Sequence, residues 1–198
     1  MPKIGMEPIR RTALVEATIH EIGKSGSLDV TVSQIAKRAG MSSGLAHHYF
    51  GSKEQLFASA MRHILTLYAA QMRGALLMAV TPRQRIEAIV RASFTPMSLR
   101  KEHVSAWMNF YVQAQKCEES ERLLKVYQGR LHSNLLHEFR KIAPLPAEEL
   151  ALGVAAMIDG LYMRDALNAD EQASERAKTT ILHFIEIGLK GSALYDPT

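Results

Sequence analysis

Thr31-Val32-Ser33-Gln34-Ile35-Ala36-Lys37-Arg38-Ala39-Gly40-Met41-Ser42-Ser43-Gly44-Leu45-Ala46-His47-His48-Tyr49-Phe50-Gly51-Ser52-Lys53 is the stretch that decides the fold of this chain. Thr31 and Gln34 stand three residues apart, as a capping box requires, so that a hydroxyl and an amide each satisfy an orphan N–H at a helix start. The spacing predicts a short helix over residues 33–39, stopped at Gly40, which has no Cβ to resist the positive φ of a sharp turn. Ala36 is small enough to let a second helix cross closely. That helix fits residues 43–50, with Ser42 as its cap and Gly51 as its stop. Met41, Ala46 and Tyr49 fall on its inner side. Ser52-Lys53-Glu54-Gln55 reads as a further capping box, opening a longer helix through Leu56, Ala60, Ile64 and Leu67. Two short helices joined by a tight glycine turn are the minimum needed to set a helix in the DNA major groove.

Upstream, Leu14, Val15, Ile19 and Ile22 recur at helical spacing after Pro8, and Gly23 or Gly26 can end that helix. Downstream, helices are expected at 83–97, 101–116, 119–142, 147–167 and 174–190. Their punctuation is Pro96, the Ala143-Pro144-Leu145-Pro146 break and Asn168-Ala169-Asp170. Strand-like alternation is confined to Asp29-Val30-Thr31-Val32. The expected architecture is all-α. Residues 1–55 form a three-helix helix-turn-helix DNA-binding domain, and residues 56–198 a helical ligand-binding and dimerisation domain, joined through the helix that starts at Ser52.

Composition narrows the function classes. Hydrophobic residues make up 47% and charged residues 22% of the 198, which excludes a disordered chain. The longest apolar run, residues 74–80, is far too short for a membrane span. The opening Met1-Pro2-Lys3-Ile4-Gly5-Met6-Glu7 lacks the apolar stretch of a secretory signal, and Cys117 stands alone, so a cytoplasmic setting is expected. The net charge of +4 is unevenly spread: residues 1–64 hold eight Lys/Arg against five Asp/Glu, a mild bias toward a polyanionic partner. No Ser/His/Asp set or phosphate loop emerges, and His103, His132, His137 and His183 have no metal-ligand spacing. No catalytic residue, metal or cofactor is therefore expected, which disfavours an enzyme. A plain helical interaction module would not require the capping boxes or the basic N-terminus.

The run from Gln34 to Ser42, with His48-Tyr49-Phe50 and Ser52-Lys53, resembles the DNA-binding domain of TetR-type repressors. A resemblance over nearly the whole chain points further, to the choline-responsive repressors of glycine betaine synthesis. It is carried by Met1 to Met6 with Ile9-Arg10-Arg11, by Ala106-Trp107, by Ser133-Asn134-Leu135 with Glu138-Phe139-Arg140, and by Ile158-Asp159-Gly160-Leu161 with Arg164. The resemblance implies that Ser43, Gly44 and His47 face base edges. It also implies that Ser33, His48, Tyr49 and Lys53 contact phosphates. His47 departs from the aromatic residue common at that position, so base preference does not carry over. A double-stranded, near-palindromic operator is the implied partner.

In the C-terminal region, Leu150, Val154, Met157, Ile158 and Leu161 run down one helix, and Ala177, Ile181, Phe184 and Gly188 down the next, with Leu182, Ile185 and Leu189 widening the second stripe. Helices apolar on two sides are buried on two sides, here against their own core and a twin subunit. Trp107, Phe110 and Tyr111 share one helix face, and Asp159 lies in an apolar run with Tyr162 three residues on. An aromatic cage with one carboxylate suits a quaternary ammonium such as choline, whose hydroxyl Asn109 or Tyr162 would engage. The same residues also read as an ordinary core stripe, with Asp159 paired to Arg164. Another hydrophobic cation, of the kind sensed by multidrug-responsive relatives, is the alternative ligand.

Overall fold

The computed structural model describes residues 5–96, 98–167 and 172–193, and every regular element among them is an α-helix. In chain order these are α1 (Met6–Ser25), α2 (Val32–Arg38), α3 (Ser43–Phe50), α4 (Lys53–Leu77), α5 (Pro82–Ser93), α6 (Lys101–Ala114), α7 (Glu118–Ile142), α8 (Ala147–Leu167) and α9 (Ala173–Ala193). None is long and apolar enough to cross a membrane. The Asp29–Val32 stretch is not a strand: Val30 is buried, and Thr31 caps α2. The expected break at Asn168-Ala169-Asp170 lies outside the described residues. The chain divides into two compact units, Met1–Thr66 with Arg100–Leu124, and Leu67–Leu99 with Lys125–Thr198.

In the first unit α1 packs on α2 and α6, and α2 on α3. Leu14, Ile22, Ile35, Ala36, Ala46, Leu56 and Phe57 form its core, together with Trp107 and Phe110 of α6. Of the two glycines that could stop α1, Gly26 does so: it has φ +70° and its N–H bonds the Ile22 carbonyl at 2.8 Å. Gly23 has a different task. A Cβ built there would sit 2.5 Å from the backbone Cα of Glu102, so the missing side chain is what lets α1 and α6 approach. The Asn109 amide reinforces the contact, donating to the Gly26 carbonyl at 3.2 Å and to Ser105 at 2.8 Å.

In the second unit α5 begins with a full capping box between Thr81 and Gln84, with Pro82 in the first turn. It ends at Ser93, short of the expected residue 97, because Pro96 pushes Thr95 out of the helical region and Thr95 instead exchanges hydrogen bonds with Ser98. Helices α8 and α9 pack on each other, with Gly153 against the Phe184 ring and Gly188 against the Leu150 side chain. Glu138 of α7, only 2% exposed, accepts from Arg85 Nε at 2.6 Å and from Lys141 Nζ at 2.8 Å. Arg85 also bonds the Leu76 carbonyl near the end of α4, at 3.1 Å. Burial works to raise the Glu138 pKa, but Lys141 and Arg85 outweigh it and hold the carboxyl below its usual value.

Candidate nucleic-acid interface and ligand site

The turn between α2 and α3 is built as the sequence predicts. The Thr31 hydroxyl accepts from Gln34 N at 3.1 Å while the Gln34 amide oxygen accepts from Thr31 N at 2.7 Å. Gly40 takes φ +68°, and two bonds close α2 behind it: Gly40 N to Lys37 O at 3.1 Å and Met41 N to Ala36 O at 2.8 Å. These are the paired bonds of a Schellman stop, with Met41 providing its apolar contact position. Ser42 then caps α3 by accepting from Leu45 N at 3.2 Å, and Ser52 caps α4 by accepting from Gln55 N at 3.2 Å.

The expected DNA-contacting residues occupy three neighbouring helix starts and ends. Ser33 is exposed in the first turn of α2. Ser43 and Gly44 open α3, and a Cβ at Gly44 would meet nothing within 4 Å, so the backbone there is bare to an approaching partner. His47 and His48 are exposed in the last turn of α3, beside half-buried Tyr49, whose ring lies 5.5 Å from that of His48. Lys53 starts α4 with its ammonium 5.3 Å from the Phe57 ring centre, a cation–π contact that leaves the charge near the helix N-terminus. Arg38 is committed elsewhere, to an ion pair with Glu21 of α1; that hydrogen bond holds the Glu21 carboxyl below its usual pKa.

One residue of this unit had no assigned role in the sequence. Arg11 of α1 donates to the Tyr49 carbonyl at 2.5 Å, and its guanidinium lies 5.3 Å from both the Tyr49 and Phe50 ring centres. Glu7, one turn earlier, orients it at 2.9 Å. A cation at the C-terminal end of α3 satisfies an orphan carbonyl and complements the helix dipole. The Glu7/Arg11 spacing of four was the available signal. Arg11→Ala is expected to cost about 1–2 kcal/mol, from one charge-assisted hydrogen bond and the ring contacts. Thermal unfolding measures this, and Arg11→Lys should recover only part because it lacks the fork.

The expected ligand residues fall in different units. On α6, Trp107 stands 5.8 Å from both the Phe110 and the Tyr111 ring centres, and Trp107 and Phe110 are buried. Asn109 has both amide bonds within its own unit, as described above, and so serves to fix α6. In the second unit Asp159 accepts from the Tyr127 hydroxyl at 2.8 Å. Tyr68 packs edge-on to Tyr127 at 5.6 Å, and its hydroxyl meets Ser93 Oγ at 3.1 Å. Ser93 Oγ donates to Ile89 O, so Tyr68 is the donor to Ser93. Burial, with the Asp159 charge nearby, pushes the Tyr68 pKa up to about 12. The Tyr162 hydroxyl donates to the Ser98 carbonyl at 2.6 Å, and burial raises its pKa as well. Tyr68 and Tyr127 escaped the sequence reading because neither has another aromatic within one turn on its own helix. Only the packing of α4 against α7 pairs them. Among the described residues no three His, Cys, Asp or Glu side chains could hold a metal ion.

Two family models match this chain. The model for bacterial regulatory proteins of the tetR family covers residues 14–60, and that for the C-terminal domain of BetI-type transcriptional repressors covers residues 82–190. The HTH-type transcriptional regulator BetI of Brucella anthropi is 46% identical over 192 residues, 96% of this chain and 99% of its own. The BetI regulator of Rhizobium meliloti is 50% identical over 170 residues, 85% of this chain and 84% of its own. Among solved structures, a transcriptional regulator from Pseudomonas aeruginosa PAO1 superposes with a TM-score of 0.83 at 24% identity, covering 93% of this chain and 92% of its own. One from Saccharomonospora viridis, in complex with choline, gives 0.80 at 22%, covering 89% and 95%. At these identities the two structures speak for the fold.

Proposed function

Because this chain belongs to the TetR family and carries the C-terminal domain of its BetI-type repressors, we propose that it represses glycine betaine synthesis genes and reads choline as its signal. It binds DNA through the helix-turn-helix of α2 and α3. In this reading residues 1–55 are the DNA-binding domain and 56–198 the ligand and dimer domain. Ser43, Gly44 and His47 meet base edges, and Ser33, His48, Tyr49 and Lys53 meet phosphates.

The observation that carries the choline reading is the half-buried Asp159 carboxylate held by Tyr127 beside Tyr68. A trimethylammonium group has no N–H to donate, so it is recognised by a negative charge and by ring faces, and this cluster supplies both. Tyr162 completes the set from the same helix. Trp107, Phe110 and Tyr111 are packed against one another, and their part in the site is decided by the choline affinity of Trp107→Phe: an unchanged value removes them. A twin subunit joins through α8 and α9. Support for that comes from Leu152 and Ile187, 63% and 58% exposed on those two helices. A dimer doubles the base contacts of one short recognition helix and requires an inverted-repeat operator. Choline alters repression by binding one operator-binding geometry of the dimer better than another, a coupling that is necessarily reciprocal.

Calorimetric titration with choline, betaine and a simple amine tests the ligand. Choline is expected to bind most tightly, and Asp159→Asn, which keeps the bond from Tyr127, to weaken it about tenfold or more, or about 1.4 kcal/mol. A protein silent to choline that binds bulky aromatic cations would overturn the choline reading. Selection of genomic DNA with and without choline tests the operator. Recovery of an inverted repeat beside choline uptake or oxidation genes is the expected result.

A further inference from the structure

The turn that ends α3 fixes the chemistry of the His47 side chain. Gly51 has φ +73° and ψ −68°, and Ser52 N bonds Phe50 O at 2.8 Å across it. That is a γ-turn of the strained sense, which a residue with a Cβ resists; a Cβ at Gly51 would also sit 2.6 Å from the Gln55 amide oxygen. The turn faces Gly51 back toward His47 twice. Its N–H donates to the His47 carbonyl at 2.7 Å, and its carbonyl lies 3.2 Å from His47 Nδ1.

A carbonyl oxygen only accepts, so Nδ1 must carry the proton. In the neutral ring Nε2 is then a bare lone pair, on a side chain exposed in the last turn of α3. We propose that His47 reads its base as a hydrogen-bond acceptor, selecting an amino base, adenine through N6 or cytosine through N4, against guanine and thymine. The major-groove edges make the distinction sharp. Adenine N6 and cytosine N4 present donors, whereas guanine O6 and thymine O4 present acceptors that an imidazole lone pair repels. The proposal rests on the reading of α3 as the base-contacting helix and adds to it the type of base contacted.

The test has two arms. Operator DNA selected by the wild-type protein is varied through all four base pairs at each position, and binding is measured at pH 8 for wild type and for His47→Ala. One position per half-site should favour adenine or cytosine about fivefold, and His47→Ala should flatten that position alone. A His47-dependent preference for guanine that vanishes with 7-deazaguanine shows a donating ring and overturns the proposal. A His47→Ala profile unchanged at every position overturns it too. Wild type that selects no inverted repeat defeats instead the repressor reading beneath it. The second arm needs no DNA: long-range 1H–15N spectra of the free protein at the same pH should show His47 protonated at Nδ1. A proton on Nε2 refutes the locked tautomer whatever the operator.

Discussion

Gly23→Ala is expected to lower the thermal midpoint by roughly 4–8 °C, although alanine is the better helix former. On propensity alone the substitution would stabilise α1 by about 1 kcal/mol. Against that gain stands the new methyl, placed 2.5 Å from the Glu102 Cα. A backbone atom cannot swing aside as a side-chain tip would, so α1 and α6 must separate. Overpacking of this kind costs about 1–3 kcal/mol, and a backbone obstacle puts it at the upper end or beyond. The net loss is about 2 kcal/mol, and each kcal/mol shifts the midpoint of a chain this size by about 2–4 °C. Calorimetry decides the sign, and a raised midpoint would overturn the steric role assigned to Gly23.

Arg85→Ala should cost about 2–3 kcal/mol and move acid unfolding to higher pH. Glu138 is buried with Arg85 and Lys141 on it, so removing Arg85 leaves a desolvated carboxylate held by Lys141 at 2.8 Å, with His137 Nε2 farther off at 3.9 Å. Stranding one member of a buried pair costs far more than the intact pair contributes. The Leu76 carbonyl loses its donor at the same time. The pH dependence follows from linkage. In the wild type the folded-state pKa of Glu138 is depressed below the ordinary glutamate value of 4.5, so its stabilisation is full above that value. It is lost as the pH falls through the lower folded value. Without Arg85 burial gains ground, the folded pKa climbs, and the loss begins at higher pH. Unfolding followed from pH 7 to pH 3 in both proteins measures the displacement of the acid limb.

The parts of the fold legible in the sequence were those whose determinants lie within a few residues of one another. Thr31 with Gln34, Gly40 and Ser42 specify their turns through bonds spanning three to five residues, and they stand where the spacing put them. Thr81-Pro82-Arg83-Gln84 carries the same signature, and the helix expected from residue 83 starts there, at Pro82. Gly23 looked like a stop because nothing local distinguishes a terminating glycine from one that admits a neighbouring helix; Glu102, 79 positions on, makes the difference. The candidate ligand cluster divides in the same way. Asp159 announced itself as an acid in an apolar run, whereas Tyr68 and Tyr127 gain meaning only from each other. Arg11 was hidden for the same reason, since its partners lie on α3.

Trp107, the single tryptophan of the chain, is buried in the first unit against Phe110 and Tyr111. Its emission is therefore a built-in optical label for that unit alone. Excited selectively, it should be blue-shifted while α6 stays packed and move to the red when that core opens. Tyr49 and Tyr111 share that unit with Trp107, whereas Tyr68, Tyr127 and Tyr162 belong to the second, so tryptophan emission follows the first unit by itself and tyrosine emission follows both.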